Sequence, residues 1–138
     1  MRLLALFCLL ALAACETTAV ADSTFPTAAL TTGTTDDTLY QIEIRTAPTQ
    51  PPPRAGATLD VHIADAAGHD VDGVTLEIVP WMAAMNHGTQ VDPVITPQGK
   101  GHYTCYPLEL FMAGTWQLRM KLKKGTRESH VVPTVDVP

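Results

Sequence analysis

Thr115-Trp116-Gln117-Leu118-Arg119-Met120-Lys121-Leu122-Lys123 is the clearest alternation in the chain. Trp116, Leu118, Met120 and Leu122 fall on one face, and Gln117, Arg119, Lys121 and Lys123 fall on the other. Period two marks a strand with one buried face, because successive Cβ atoms point to opposite sides of a sheet. Downstream, Lys124-Gly125-Thr126 reads as a turn into a last strand with Val131, Val135 and Val137 on one side. Upstream, Glu109 to Gly114 is a corner that carries Phe111 and Met112. Before it, His102 to Leu108 is a strand with Tyr103 and Cys105 inward.

The same period recurs earlier. Tyr40, Ile42 and Ile44 alternate with Gln41, Glu43 and Arg45. Leu59, Val61 and Ile63 form a second apolar row, and Val74, Leu76 and Ile78 a third. Val91 to Ile95 is a weaker strand, interrupted by Pro93. Pro97 to Gly101 reads as a turn. Pro48, Pro51, Pro52 and Pro53 keep residues 47–56 out of any central strand, since proline lacks the ladder N–H. Glycines and aspartates between residues 65 and 73 mark a turn. About seven strands with turn signals every eight to twelve residues, and no convincing helix, predict an all-β fold. The expected architecture is an immunoglobulin-like antiparallel β-sandwich.

The chain has 138 residues, enough for one domain. Its first residues read differently from the rest. Leu3 to Ala14 is an unbroken apolar or small run after Arg2, too short to span a bilayer. Leu12-Ala13-Ala14-Cys15 resembles a bacterial lipobox, so residues 1–14 are expected to be a lipoprotein signal peptide. Cys15 is expected to carry lipid and attach the protein to a membrane. Glu16 follows that cysteine rather than an inner-membrane-retaining aspartate. This favours an outer-membrane anchor in the bacterial envelope, facing the periplasm. Cys15→Ser is expected to move the protein from the membrane fraction to the soluble one. Retention in the membrane at unchanged mass would end the lipoprotein reading.

Residues 15–37 are rich in Thr, Ala and Ser with no hydrophobic period, and read as a flexible tether. The folded domain is expected over 38–138. The formal net charge is −5, and loss of Arg2 makes the chain one unit more acidic. That balance argues against nucleic acid as a partner. Of three cysteines, Cys8 lies in the leader and Cys15 at its end, so Cys105 has no partner for an intramolecular disulfide.

One stretch carries chemistry. Pro80-Trp81-Met82-Ala83-Ala84-Met85-Asn86-His87-Gly88 follows the third strand, and Pro80 is expected to stop its ladder. Thioether sulfur selects monovalent copper over hard cations, and imidazole suits copper and zinc. Met82, Met85 and His87 are the candidate ligands, with Met112 from the later corner as a fourth. Trp81 is a secondary candidate, since an indole face attracts a cation. His102 is another. Zinc and calcium fit such a set poorly. Nothing points to catalysis: there is no nucleophile elbow, phosphate loop or His-x-x-x-His pair.

Three blocks in order resemble the YtkA-like/FixH-like domain family. They are Pro80-Trp81-Met82-x-x-Met85-x-His87-Gly88, Gly101-x-Tyr103, and Phe111-Met112-Ala113-Gly114-x-Trp116-x-Leu118. The resemblance covers residues 36–138. It implies a small immunoglobulin-like domain of secreted or membrane-attached bacterial proteins, often near copper-handling and metal-efflux systems. Ala84 and Asn86 stand where family members often carry Pro and Gly. The expected function is copper binding, as Cu(I), for delivery or resistance. The alternative is an accessory module that docks on an efflux or oxidase assembly through an apolar patch of Trp81, Met82 and Met85. Convergence of the Met and His side chains separates the first reading from the second.

Overall fold

The computed structural model describes residues 25–51 and 56–138. The leader, Cys15 and the first part of the expected tether lie outside the described residues. Among those described there is no α-helix, and no helix long and apolar enough to cross a membrane.

Two antiparallel sheets face each other. The first has the order β1-β2-β3-β7-β6, built from Thr31–Thr34, Tyr40–Ala47, Gly56–Asp65, His102–Glu109 and Val94–Gly99. The second runs β10-β8-β4-β5, from Thr134–Val137, Gly114–Lys124, Thr75–Met82 and His87–Gly88, with β9 (Arg127–Val131) also on β8. The protein is therefore an all-β sandwich.

The inward rows are those of the alternation. Trp116, Leu118, Met120 and Leu122 are buried along β8. They meet Ile42 and Ile44 of β2, Leu59, Val61 and Ile63 of β3, and Tyr103 and Cys105 of β7 in one core. Tyr103 also ties down the loop before β4. Its hydroxyl accepts the Val74 N–H at 3.1 Å and donates to the Val71 carbonyl at 3.3 Å.

Among the described residues, ten strands stand where about seven are expected, for three local reasons. β1 lies in the Thr-rich segment read as tether, where no apolar period announces it, and pairs with β2 from Thr31↔Ile44 to Thr34↔Gln41. β5 has only two residues, too few to show a period. The last strand is split into β9 and β10 at Val132-Pro133, where Pro133 has no N–H to give. Its carbonyl still accepts the Leu118 N–H at 2.8 Å, so the pairing with β8 continues across the break.

Two boundaries also differ. β6 runs through Pro97 to Gly99, so the turn before β7 narrows to Lys100-Gly101. Pro80 does not end β4: it pairs with Leu118, and the strand continues to Met82. The Leu118 N–H points away from β4, toward Pro133. Pro80 and Leu118 therefore form a non-hydrogen-bonded pair. The missing N–H of Pro80 faces the outer edge, where it costs the ladder nothing.

Candidate functional site

Three chain segments meet at one end of the sandwich. β4 arrives with Met82, a single 3₁₀ turn (Ala83–Met85) follows, and the β7–β8 corner brings Phe111 and Met112. Asn86 closes the 3₁₀ turn in the left-handed region at φ 54°, with its N–H donating to the Ala83 carbonyl at 3.2 Å. Asparagine tolerates that conformation better than most residues. The chain then reverses into β5, which lies back on β4 with Met82 opposite His87 and Trp81 opposite Gly88.

Met82, Met85 and Met112 line one cavity of about 350 Å³, with Gly114, Thr115 and Gln117 among its other walls. Met82 is buried at 3 % exposure, Met112 is half-buried, and Met85 is 55 % exposed at the rim. The period of β4 explains the first placement. Leu76, Ile78, Pro80 and Met82 share the inward face, and the 3₁₀ turn then swings Met85 back over the opening. A Cβ on Gly114 would meet the Met82 methyl at 3.4 Å, an ordinary contact, and it is the φ of 125° that favours glycine at this wall of the cavity.

His87 shares the inward face as the cross-strand partner of Met82, but it lies outside the cavity lining. Its ring stacks on Phe111 at 5.3 Å and meets Trp116 edge-on at 6.1 Å. Trp116 in turn packs against Phe111 at 5.4 Å, and its indole N–H donates to the Met112 carbonyl at 2.9 Å. An aromatic layer thus holds the corner that presents Met112.

Trp81 is not part of this arrangement. Adjacent strand residues point to opposite faces, so with Met82 inward its indole lies on the outer face of the second sheet. Gly88 leaves space beneath the ring, since a Cβ there would come within 3.3 Å of it. Arg119 covers the other side at 4.6 Å from the ring centroid, so the cation at that indole is the protein's own guanidinium. Trp81, Met82 and Met85 consequently form no continuous outward patch.

His102 is on the other sheet, away from the methionines. Its Nδ1 lies 3.0 Å from the buried Asp60 carboxylate, and its ring stacks on His62 at 4.5 Å. His62 pairs with Asp70 at 2.9 Å, and Arg45 stands 3.9 Å from Asp60. The β3–β7 register, His62↔His102 and Asp60↔Thr104, brings these distant residues together, and no local motif announces it. Among the described residues, no three His, Cys, Asp or Glu side chains are grouped to hold a metal ion.

Cys105 faces the core. Burial, with a smaller contribution from Asp60, pushes its thiol up to about 12. The reactive species is the thiolate, so folded protein is expected to resist alkylation at pH 8 and unfolded protein to react fully. Labelling of the native chain at the unfolded rate would contradict this burial. The sign for stability follows. Between the ordinary thiol value and about 12, the unfolded chain has lost a proton that the folded chain keeps. Stability from this group is therefore whole below that window and falls as pH rises through it.

These features define a small β-sandwich with a thioether-lined cavity at one end. A family model described as YtkA-like matches residues 35–121, and the chain belongs to that family. Among curated proteins and among solved structures, nothing matches.

Proposed function

We propose that the chain binds monovalent copper in the cavity of Met82, Met85 and Met112, with His87 as the adjoining imidazole. Anchored through a lipid on Cys15, the domain would carry the ion at the bacterial envelope for delivery or resistance. The observation that supports this reading is the gathering of three thioethers from two separate segments around one cavity. Thioethers are neutral and soft, so they suit Cu(I) and serve hard or borderline divalent ions badly. The graded exposure fits uptake and release: Met85 at the rim meets the ion first, and Met82 holds it from within. A docking patch of Trp81, Met82 and Met85 has less support, because Met82 is buried and Arg119 covers Trp81.

Competition with a Cu(I)-specific chelator under reducing conditions tests the proposal. Met85→Leu and Met112→Leu keep volume and remove sulfur, so the fold is expected to survive. Each is expected to weaken Cu(I) binding by about tenfold or more, at least the effect of losing a supporting group around a metal. His87→Ala is expected to have a smaller effect, since its ring lies on Phe111 outside the cavity lining. Failure of the unaltered chain to compete, or equal retention by both leucine variants, would remove the copper site.

A further inference from the structure

Among the described residues, sulfur occurs at Met82, Met85, Cys105, Met112 and Met120, and the fold ranks these atoms by access. Met82, Cys105 and Met120 are buried in the core, and Met112 is half-buried against it. Met85 is more than half exposed and lies outside the core. It ends the 3₁₀ turn, in which no residue is buried, and its neighbours Ala84 and Asn86 are exposed as well.

The same residue walls the thioether cavity. Access and a place at the cavity therefore coincide at one sulfur. A peroxide attacks a thioether directly, with no proton to remove first, so exposure governs which methionine reacts. Cys105 does not compete with it. The thiolate is the reactive form of cysteine, and burial keeps this thiol protonated.

We propose that Met85 is a reversible oxidation site, and that its conversion to the sulfoxide by a peroxide switches off Cu(I) binding in the cavity. This regulation rests on the copper reading above. In the forward step the Met85 sulfur takes one oxygen atom from hydrogen peroxide as the O–O bond breaks. The sulfur loses two electrons, and the rest of the peroxide leaves as water. In the reverse step two thiols supply two electrons and two protons, join as a disulfide, and release that oxygen as water.

The sulfoxide replaces a soft donor with a hard one. One sulfur lone pair now binds oxygen, and that oxygen suits Cu(I) badly. The polar S–O group is drawn to water at the rim, which moves the sulfur away from Met82 and Met112. The fold tolerates the change, because Met85 lies outside the core and the added oxygen stays hydrated. On Met82 or Met120 the same oxygen would be buried in the core, where an unpaired polar group is costly. Exposure also lets a repair enzyme reach the residue that oxidises first.

The test treats the full chain, freed of metal, with limiting hydrogen peroxide and locates the added oxygen by mass spectrometry of its peptides. Met85 is expected to oxidise about tenfold or more faster than Met82 and Met120, with Met112 between them. The chain oxidised at Met85 is expected to keep its near-ultraviolet circular dichroism. It is expected to lose about tenfold or more in competition with a Cu(I)-specific chelator. Sulfoxide reductases for both epimers, with a dithiol, are expected to restore the affinity. Met85→Leu keeps every other methionine, so the same peroxide dose is expected to leave its Cu(I) affinity where it was. Oxidation of Met82 or Met112 as fast as Met85 would overturn the proposal. So would a Met85 sulfoxide that binds Cu(I) as tightly as the thioether, a loss of fold on oxidation, or an equal peroxide effect in Met85→Leu. In each of those cases Cu(I) binding by the untreated chain leaves the copper site standing. Failure of the untreated chain to bind Cu(I) would remove both.

Discussion

Trp116→Ala is expected to destabilise the chain by about 3–5 kcal/mol, the range for large aromatic truncations in cores. The indole is fully buried, and its loss would remove more than area. Its N–H satisfies the Met112 carbonyl at 2.9 Å, and its edge contacts Phe111 and His87. The alanine variant would open a void beneath the β7–β8 corner and leave that carbonyl unpaired. Denaturant midpoints of the two proteins measure the loss. Trp116→Phe is a useful companion: it keeps one aromatic ring but loses the donor and part of the buried volume, so a smaller loss than that of the alanine variant is expected. A change within about 0.5 kcal/mol for Trp116→Ala, the size of a surface effect, would mean the strand register is wrong by one residue. The variant also bears on the cavity, because the same indole holds the Met112 backbone.

Period two carried the reading of the sandwich. The inward rows of β3, β4, β7 and β8 follow from apolar residues at alternate positions, and each is buried. Short or polar elements left no such trace. β1 is Thr-Thr-Gly-Thr, whose place depends on pairing with β2 and packing against β9 rather than on its own hydrophobicity. At the candidate site, residue types were legible and sidedness was not. Reading Pro80 as a strand end freed Trp81 and Met82 to face the same way. The run Leu76, Ile78, Pro80, Met82 kept period two throughout, and following it past the proline sets Trp81 on the opposite face. The His62, His102 and Asp60 cluster needs the β3–β7 register, which no local pattern supplies.

Gly101→Ala is expected to cost about 2–5 kcal/mol, combining the left-handed backbone penalty with steric overlap. Gly99 pairs with His102, and the two residues between them, Lys100 and Gly101, both have positive φ, 52° and 72°. That is the geometry of a tight hairpin whose twist matches the strands. Lysine bears the strain at the first position. At the second, a Cβ would overlap the Ile63 carbonyl oxygen and stand 3.2 Å from the Val71 nitrogen. That oxygen has no freedom to retreat: it accepts the Val71 N–H at 2.9 Å, and the Ile63 N–H donates to the Gly101 carbonyl at 2.8 Å. The Gly101 N–H is held by the Asp72 carboxylate at 2.8 Å, so the turn, β3 and the loop before β4 are locked together. Gly99→Ala is the control. Its φ is also positive, at 84°, but nothing lies within 4 Å of the added Cβ, so only the conformational penalty of about 1–2 kcal/mol applies. The difference between the two midpoints isolates the steric part. Equal losses would mean that the β6–β7 turn does not press against β3. A larger loss at Gly101 is expected to come with shifted ring resonances of His62 and His102, because the displaced strand end carries that stacked pair.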